Sequence, residues 1–305
     1  MQRFTKILFI NDPPANSKRA LKRALQLARA NEAELTIASV IEEFPRSMNQ
    51  LQKTFRQLQE QELQSLLREL STEGINIKTS QLIGTPFLQI IRQVMQKGHD
   101  LLIKPAGGRG GVSSMLFGST DLHLLRKCPC PVWIIKPTQR KKYARILAAV
   151  DPDPGEKANV ELNSLILDLA SSLARRENSQ LHIVHAWSML YESALRNGRA
   201  NLPSGEIDRL LRDTRKTHEK WLDELLSGYD MQGLPFKVHL LKGDPGEVIP
   251  GLAEKKKVEL IIMGTVARTG IPGFFIGNTA EKTLAEVDCS VLAVKPKAFS
   301  TPVEA

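Results

Sequence analysis

Residues 258–296 read VELIIMGTVARTGIPGFFIGNTAEKTLAEVDCSVLAVKP. An apolar run, Leu260 to Met263, ends in Gly264; a loop with Gly270, Gly273 and Gly277 follows, and Asn278-Thr279 opens a helical pattern. A run apolar on both faces suits the interior of a parallel sheet covered on both sides. The order is therefore strand, glycine loop, helix start. The first N–H groups of a helix lack intrahelical partners and carry the positive end of its dipole, so the natural occupant of such a turn is an anion such as phosphate.

Working outward, the same pattern occurs a second time. Residues 100–137, DLLIKPAGGRGGVSSMLFGSTDLHLLRKCPCPVWIIKP, lie on residues 259–296 without a gap at a constant offset of 159. Gly118 meets Gly277, Ser119 meets Asn278, Cys130 meets Cys289, and Lys136-Pro137 meets Lys295-Pro296. Upstream, the run ending at Asp12 meets the run ending at Asp151 at an offset of 139, so the second copy carries an insertion of 20 residues. A repeat of this length means two copies of a domain, 1–138 and 143–297, with a tail at 298–305.

Each copy alternates strands and helices. In the first, strands are predicted at Lys6–Ile10, Leu35–Ile41, Ile75–Ile83, Leu101–Ile103 and Val132–Ile135. Helices begin near Ser17, Met48, Phe87 and Thr120, and the second copy follows the same order. Such alternation specifies right-handed βαβ units around a parallel sheet, with ligands beyond the carboxyl ends of the strands. Asp12 and Asp151 fall at that edge, as do both glycine loops. Each Asp is either a cap or turn residue before its proline or a ligand contact.

Composition sets the remaining bounds. No apolar run reaches the length of a membrane span, and the N-terminal MQRFTKILFIND reads as a first strand, so the expected location is cytoplasmic. Three cysteines are too few and too odd in number for a disulfide framework, and Cys128-Pro-Cys130 reads as small packing residues before a buried strand. Residues 1–142 hold 22 Lys and Arg against 11 Asp and Glu, whereas residues 143–305 hold 20 against 22. Without base-reading elements, the basic first half is expected to give weak, salt-sensitive association with polyanions and no specific nucleic-acid binding.

Gly264-Thr-Val-Ala267, nine residues, then Gly277-Asn278 resembles the universal stress protein motif G-x-x-G-x9-G-[ST]. The adjoining Thr-Ala-Glu, the Asp after strand one and the LLRKCPCPVW segment at 124–133 extend the likeness to a tandem member of that family. The resemblance implies two flavodoxin-like (Rossmann-like) α/β domains, each a five-stranded parallel sheet of order 3-2-1-4-5 with helices on both faces. It also implies that the two fifth strands pair, giving an intramolecular pseudo-dimer. Some family members bind ATP and others do not. Carried over, the ATP contacts would be Asp12, Val40, Gly108, Gly118 and Ser119 in the first copy. In the second they would be Asp151, Ala186, Gly264, Gly277, Asn278 and Thr279, with Arg268 close enough in sequence to add a charge-assisted contact.

Both copies depart from the motif. Pro105 stands at the first glycine of copy one and lacks an N–H. Ala267 replaces the second glycine of copy two, and Asn278 replaces the hydroxyl residue while keeping a capping side chain and an amide donor. The second copy is the favoured site for a phosphate-bearing ligand.

Catalytic chemistry is not assembled by these residues. No phosphate-binding G-x-x-x-x-G-K-[ST] or nucleophile-elbow G-x-S-x-G is present, and no metal of the protein's own is expected. His182 and His185 lie an odd number of positions apart on one strand, so they face opposite sides. The expectation is a cytoplasmic, non-catalytic stress-response protein that binds ATP or another phosphate-bearing ligand. The alternatives are a ligand-free interaction scaffold, or a site for an apolar or acylated ligand lined by the helices at 48–70 and 207–226; those apolar faces otherwise serve as ordinary core.

Overall fold

A computed structural model describes residues 3–12, 17–107, 117–137, 142–155, 157–189, 191–196, 203–265 and 277–304. The first repeat consists of β1 (Lys6–Ile10), α1 (Ser17–Asn31), β2 (Glu34–Ile41), α2 (Asn49–Arg68), β3 (Ile77–Ile83), α3 (Pro86–Lys97), β4 (Leu101–Pro105), α4 (Ser119–Lys127) and β5 (Val132–Ile135). The second consists of β6 (Arg145–Ala149), α5 (Lys157–Glu177), β7 (Gln180–Trp187), α6 (Glu192–Arg196), α7 (Ser204–Ser227), β8 (Phe236–Lys242), α8 (Pro245–Lys255), β9 (Leu260–Gly264), α9 (Asn278–Glu286) and β10 (Ser290–Val294). The insertion supplies α6, which its polar, aperiodic sequence does not announce.

Hydrogen bonding orders the repeats β3-β2-β1-β4-β5 and β8-β7-β6-β9-β10. Both are 3-2-1-4-5, as the family resemblance implied. The pairs β1/β2, β1/β4, β2/β3 and β4/β5 are parallel, and so are β6/β7, β6/β9 and β7/β8. The two fifth strands also pair, antiparallel, with Leu292 opposite Trp133, so the sheet is mixed at that point. Ser290 reinforces the junction, its Oγ accepting the Lys136 N–H at 3.1 Å. Pairing covers two apolar strand edges that would otherwise be open to aggregation. By spatial clustering, one compact unit takes in β1 to β5 together with β10, and the other takes in β6 to β9.

The central strands are mostly buried, β4 and β10 at every residue, because helices flank them. The outer strands differ: β3 and β8 are largely half-buried or exposed. Cover thins there, and α2 shows the consequence. Its stripe of Met48, Leu51, Phe55 and Leu58 has the spacing of a core face, yet these residues are 43–50% exposed and only Leu63 of the helix is buried. In α7 only Ile207 and Leu222 are buried.

Candidate functional site

The carboxyl ends of β2, β1 and β4 bring Val40, Asp12 and Pro105 to one edge of the first repeat, and α4 starts there with Gly118 as its N-cap. Lys104, the one charged residue in an otherwise apolar strand, is buried at this point. Its ammonium lies 2.8 Å from Asp12 Oδ2 and 3.0 Å from Asp121 Oδ1, and it donates to the Pro105 carbonyl at 3.0 Å. Asp121, third residue of α4, is fully buried, and its Oδ2 accepts the N–H groups of Gly107 at 2.8 Å and Gly118 at 3.3 Å. A side chain is excluded at Gly118 and would crowd the lysine at Gly107. A Cβ on Gly107 would lie 3.3 Å from Lys104 Nζ, and one on Gly118 would lie 2.9 Å from the Gly107 carbonyl oxygen.

Burial alone would lower the Lys104 pKa, but Asp121 and Asp12 outweigh it and raise the ammonium above its ordinary value. Burial also lifts the Asp121 carboxyl above 3.8, against the opposing pull of Lys104 and the two N–H groups. Ser119 is exposed at the start of α4. Gly108 lies outside the described residues.

In the second repeat the ends of β7, β6 and β9 bring Ala186, Asp151 and Gly264 to the corresponding edge. Asn163 of α5 clamps Asp151 through its backbone, accepting the Asp151 N–H at 2.9 Å and donating to its carbonyl at 2.6 Å. Asn159 reaches the Asp151 carboxylate at 3.4 Å. Gly277 caps α9, Asn278 is its exposed first residue and Thr279 its half-buried second. At the offset of 159, Lys104 becomes Met263 and Asp121 becomes Ala280, both buried. At these two places the second repeat therefore has neither the ammonium nor the carboxylate. Arg268 and Ala267 lie outside the described residues.

Two histidine pairs flank β7. His182 Nδ1 lies 2.9 Å from His239 Nε2 of β8, and His185 Nε2 lies 2.8 Å from His218 Nδ1 of α7. The two strand histidines thus have separate partners, as their spacing required. Burial, reinforced by each partner ring, pushes His182 and His185 down to about 4. Trp187 and Trp221 enclose His218, with ring centroids 5.8 and 4.9 Å away. Among the described residues, no group of three or more His, Cys, Asp or Glu is placed to hold a metal ion. The three cysteines are free and buried.

Sequence reading found the glycines and both strand-one aspartates but did not single out Asp121, His218, His239 or Asn163. For Asp121 a signal existed. A carboxylate at the third helical position, 17 residues after a lysine inside an apolar strand, is missing from the second copy at both places.

A sequence model of the Universal stress protein family matches residues 3–136 and 142–295. Universal stress protein E of Escherichia coli (strain K12) is 30% identical over 315 aligned positions, covering 100% of this chain and 98% of that protein. A homolog of the same protein in Haemophilus influenzae is 26% identical, with 96% and 98% covered. A solved structure from Pseudomonas aeruginosa UCBPP-PA14, assigned to the universal stress proteins, superposes with a TM-score of 0.72 at 26% identity over 97% of this chain and 95% of that one.

Proposed function

The chain belongs to the universal stress protein family as a tandem two-repeat member, and from that premise we propose that it is a cytoplasmic, non-catalytic stress-response protein whose second repeat holds a phosphate-bearing ligand of the ATP type. One observation carries this reading. Met263 and Ala280 stand where the first repeat has a buried lysine and a buried carboxylate, so the start of α9 has no internal anion at its third position. The N–H groups there keep their preference for an incoming anion. Asp151, fixed by Asn163, and the end of β7 at Ala186 supply the rest of a cleft edge at the strand ends.

Regulation by ligand occupancy, and not turnover, is the reading that goes with a sequence lacking the phosphate-binding G-x-x-x-x-G-K-[ST] and nucleophile-elbow motifs. The experiment is to denature the purified protein and identify any released small molecule by mass spectrometry. A phosphate-bearing compound at one per chain supports the reading. Release of an acylated or otherwise phosphate-free compound contradicts it, and a ligand-free protein that also fails to bind added ATP favours an interaction scaffold.

A further inference from the structure

We propose that the Asp121 carboxylate is a resident anion that occupies the phosphate cradle of the first repeat and keeps that repeat closed to phosphate-bearing ligands. This inference stands apart from whether the second repeat is occupied. A phosphate site in this kind of fold needs three things: backbone N–H donors at a glycine turn, the positive end of a helix, and a counter-charge. All three are present here. The donors are Gly107 and Gly118, the helix is α4, and the cation is the buried Lys104 ammonium. What they hold is a side-chain carboxylate from the same helix.

Asp121 uses both oxygens: Oδ2 takes the two N–H groups, and Oδ1 faces Lys104. Asp12 completes the neutralisation of Lys104 from the other side, so one cation already faces two anions. An entering phosphate would meet two carboxylates, Asp121 and Asp12, at the cation it would need, and donors already engaged. Gly118 approaches the Gly107 backbone closely beside the carboxylate, a Cβ there lying 2.9 Å from the Gly107 carbonyl oxygen. Asp12 is 44% exposed at its side chain, which gives the cradle one edge open to water and makes electrostatic occupation, not enclosure alone, the reason for exclusion.

The test is Asp121→Ala, with inorganic phosphate and ATP as probes, in an Asn278→Asp background that silences the second repeat. Amide resonances of Gly107 and Gly118 and calorimetric affinity are the readouts. The variant is expected to bind phosphate at least 10-fold more tightly than its parent, with both glycine amides shifting, and to lose the gain when Lys104→Met is added. A folded Asp121→Ala protein with unchanged affinity overturns the proposal, and so does a gain that survives Lys104→Met. Should Asp121→Ala not fold, Asp121→Asn keeps the size and removes the charge. Phosphate is then expected to raise its Tm by several degrees while leaving the parent unmoved; no difference between the two overturns the proposal.

Discussion

Strands β4 and β9 hold equivalent places in the two repeats, and each is followed by a helix, α4 or α9, that a glycine caps. The first repeat has a buried ion pair beside its turn, and the second has apolar side chains at the same two places. In the first, Lys104 and Asp121 satisfy each other and the turn's N–H groups; in the second, Met263 and Ala280 are buried without charge. Among the differences between the two copies, Lys104 against Met263 and Asp121 against Ala280 are the two that set this charge. Backbone topology alone therefore says little about which repeat receives a ligand.

The largest expected effect comes from breaking the closed turn. Lys104→Met would leave Asp121 buried without its cation, and removing one partner of a buried pair costs about 3–5 kcal/mol. Met263→Leu, a volume-conserving change at the equivalent place, should cost less than about 1.5 kcal/mol. Urea unfolding of both variants checks this, and similar losses would contradict the assigned roles.

Next in size is the reverse operation. Ala280→Asp with Met263→Lys should convert the second turn to the closed type and weaken ATP binding there by about 100-fold, about 2.7 kcal/mol. A fluorescent ATP analogue titrated into the double variant reports it. Undiminished affinity would place the ligand elsewhere.

The smallest effect lies beside the turns, on β7. His182 and His185 titrate near 4 in the folded protein against an ordinary 6.5. Between these values the unfolded chain takes up protons first, so stability is unaffected above about pH 6.5 and falls progressively as pH drops towards 4. Urea midpoints measured across this window should decline with acidification, and replacing His182 with Phe should flatten part of the decline. A midpoint that rises on acidification would contradict the buried, neutral pairs. The first repeat has Thr36 and Ser39 at the matching strand positions, so its share of the decline comes from elsewhere, from His99 and His123, both of which burial holds below the ordinary histidine value.

Much of this architecture was legible in the residues because parallel strands buried on both faces announce themselves as short apolar runs, and the repeat doubled each signal. The pairing of the two fifth strands was implied by the family resemblance, and the apolar edges at Val132–Ile135 and Val291–Val294 agree with it. The α2 stripe misleads for a physical reason: helical periodicity states which residues share a face, not whether another layer covers it. Beside an outer strand as exposed as β3, Leu51, Phe55 and Leu58 stay at the surface. The glycines and Asp151 could be located from motif spacing, whereas Lys104 and Asp121 meet only after β4, its turn and α4 are folded together. A comparison of the two copies position by position contains that pair; a reading of either copy alone does not.

The central claim, that the second repeat is the open one, is tested most directly by calorimetric titration of ATP into the unmutated chain, Asn278→Asp and Ser119→Asp. Asn278→Asp places a negative charge at the first residue of α9 and should abolish binding, while Ser119→Asp, at the start of the already occupied α4, should leave affinity and a stoichiometry of one essentially unchanged. Equal loss in both variants, or loss only in Ser119→Asp, would contradict the account.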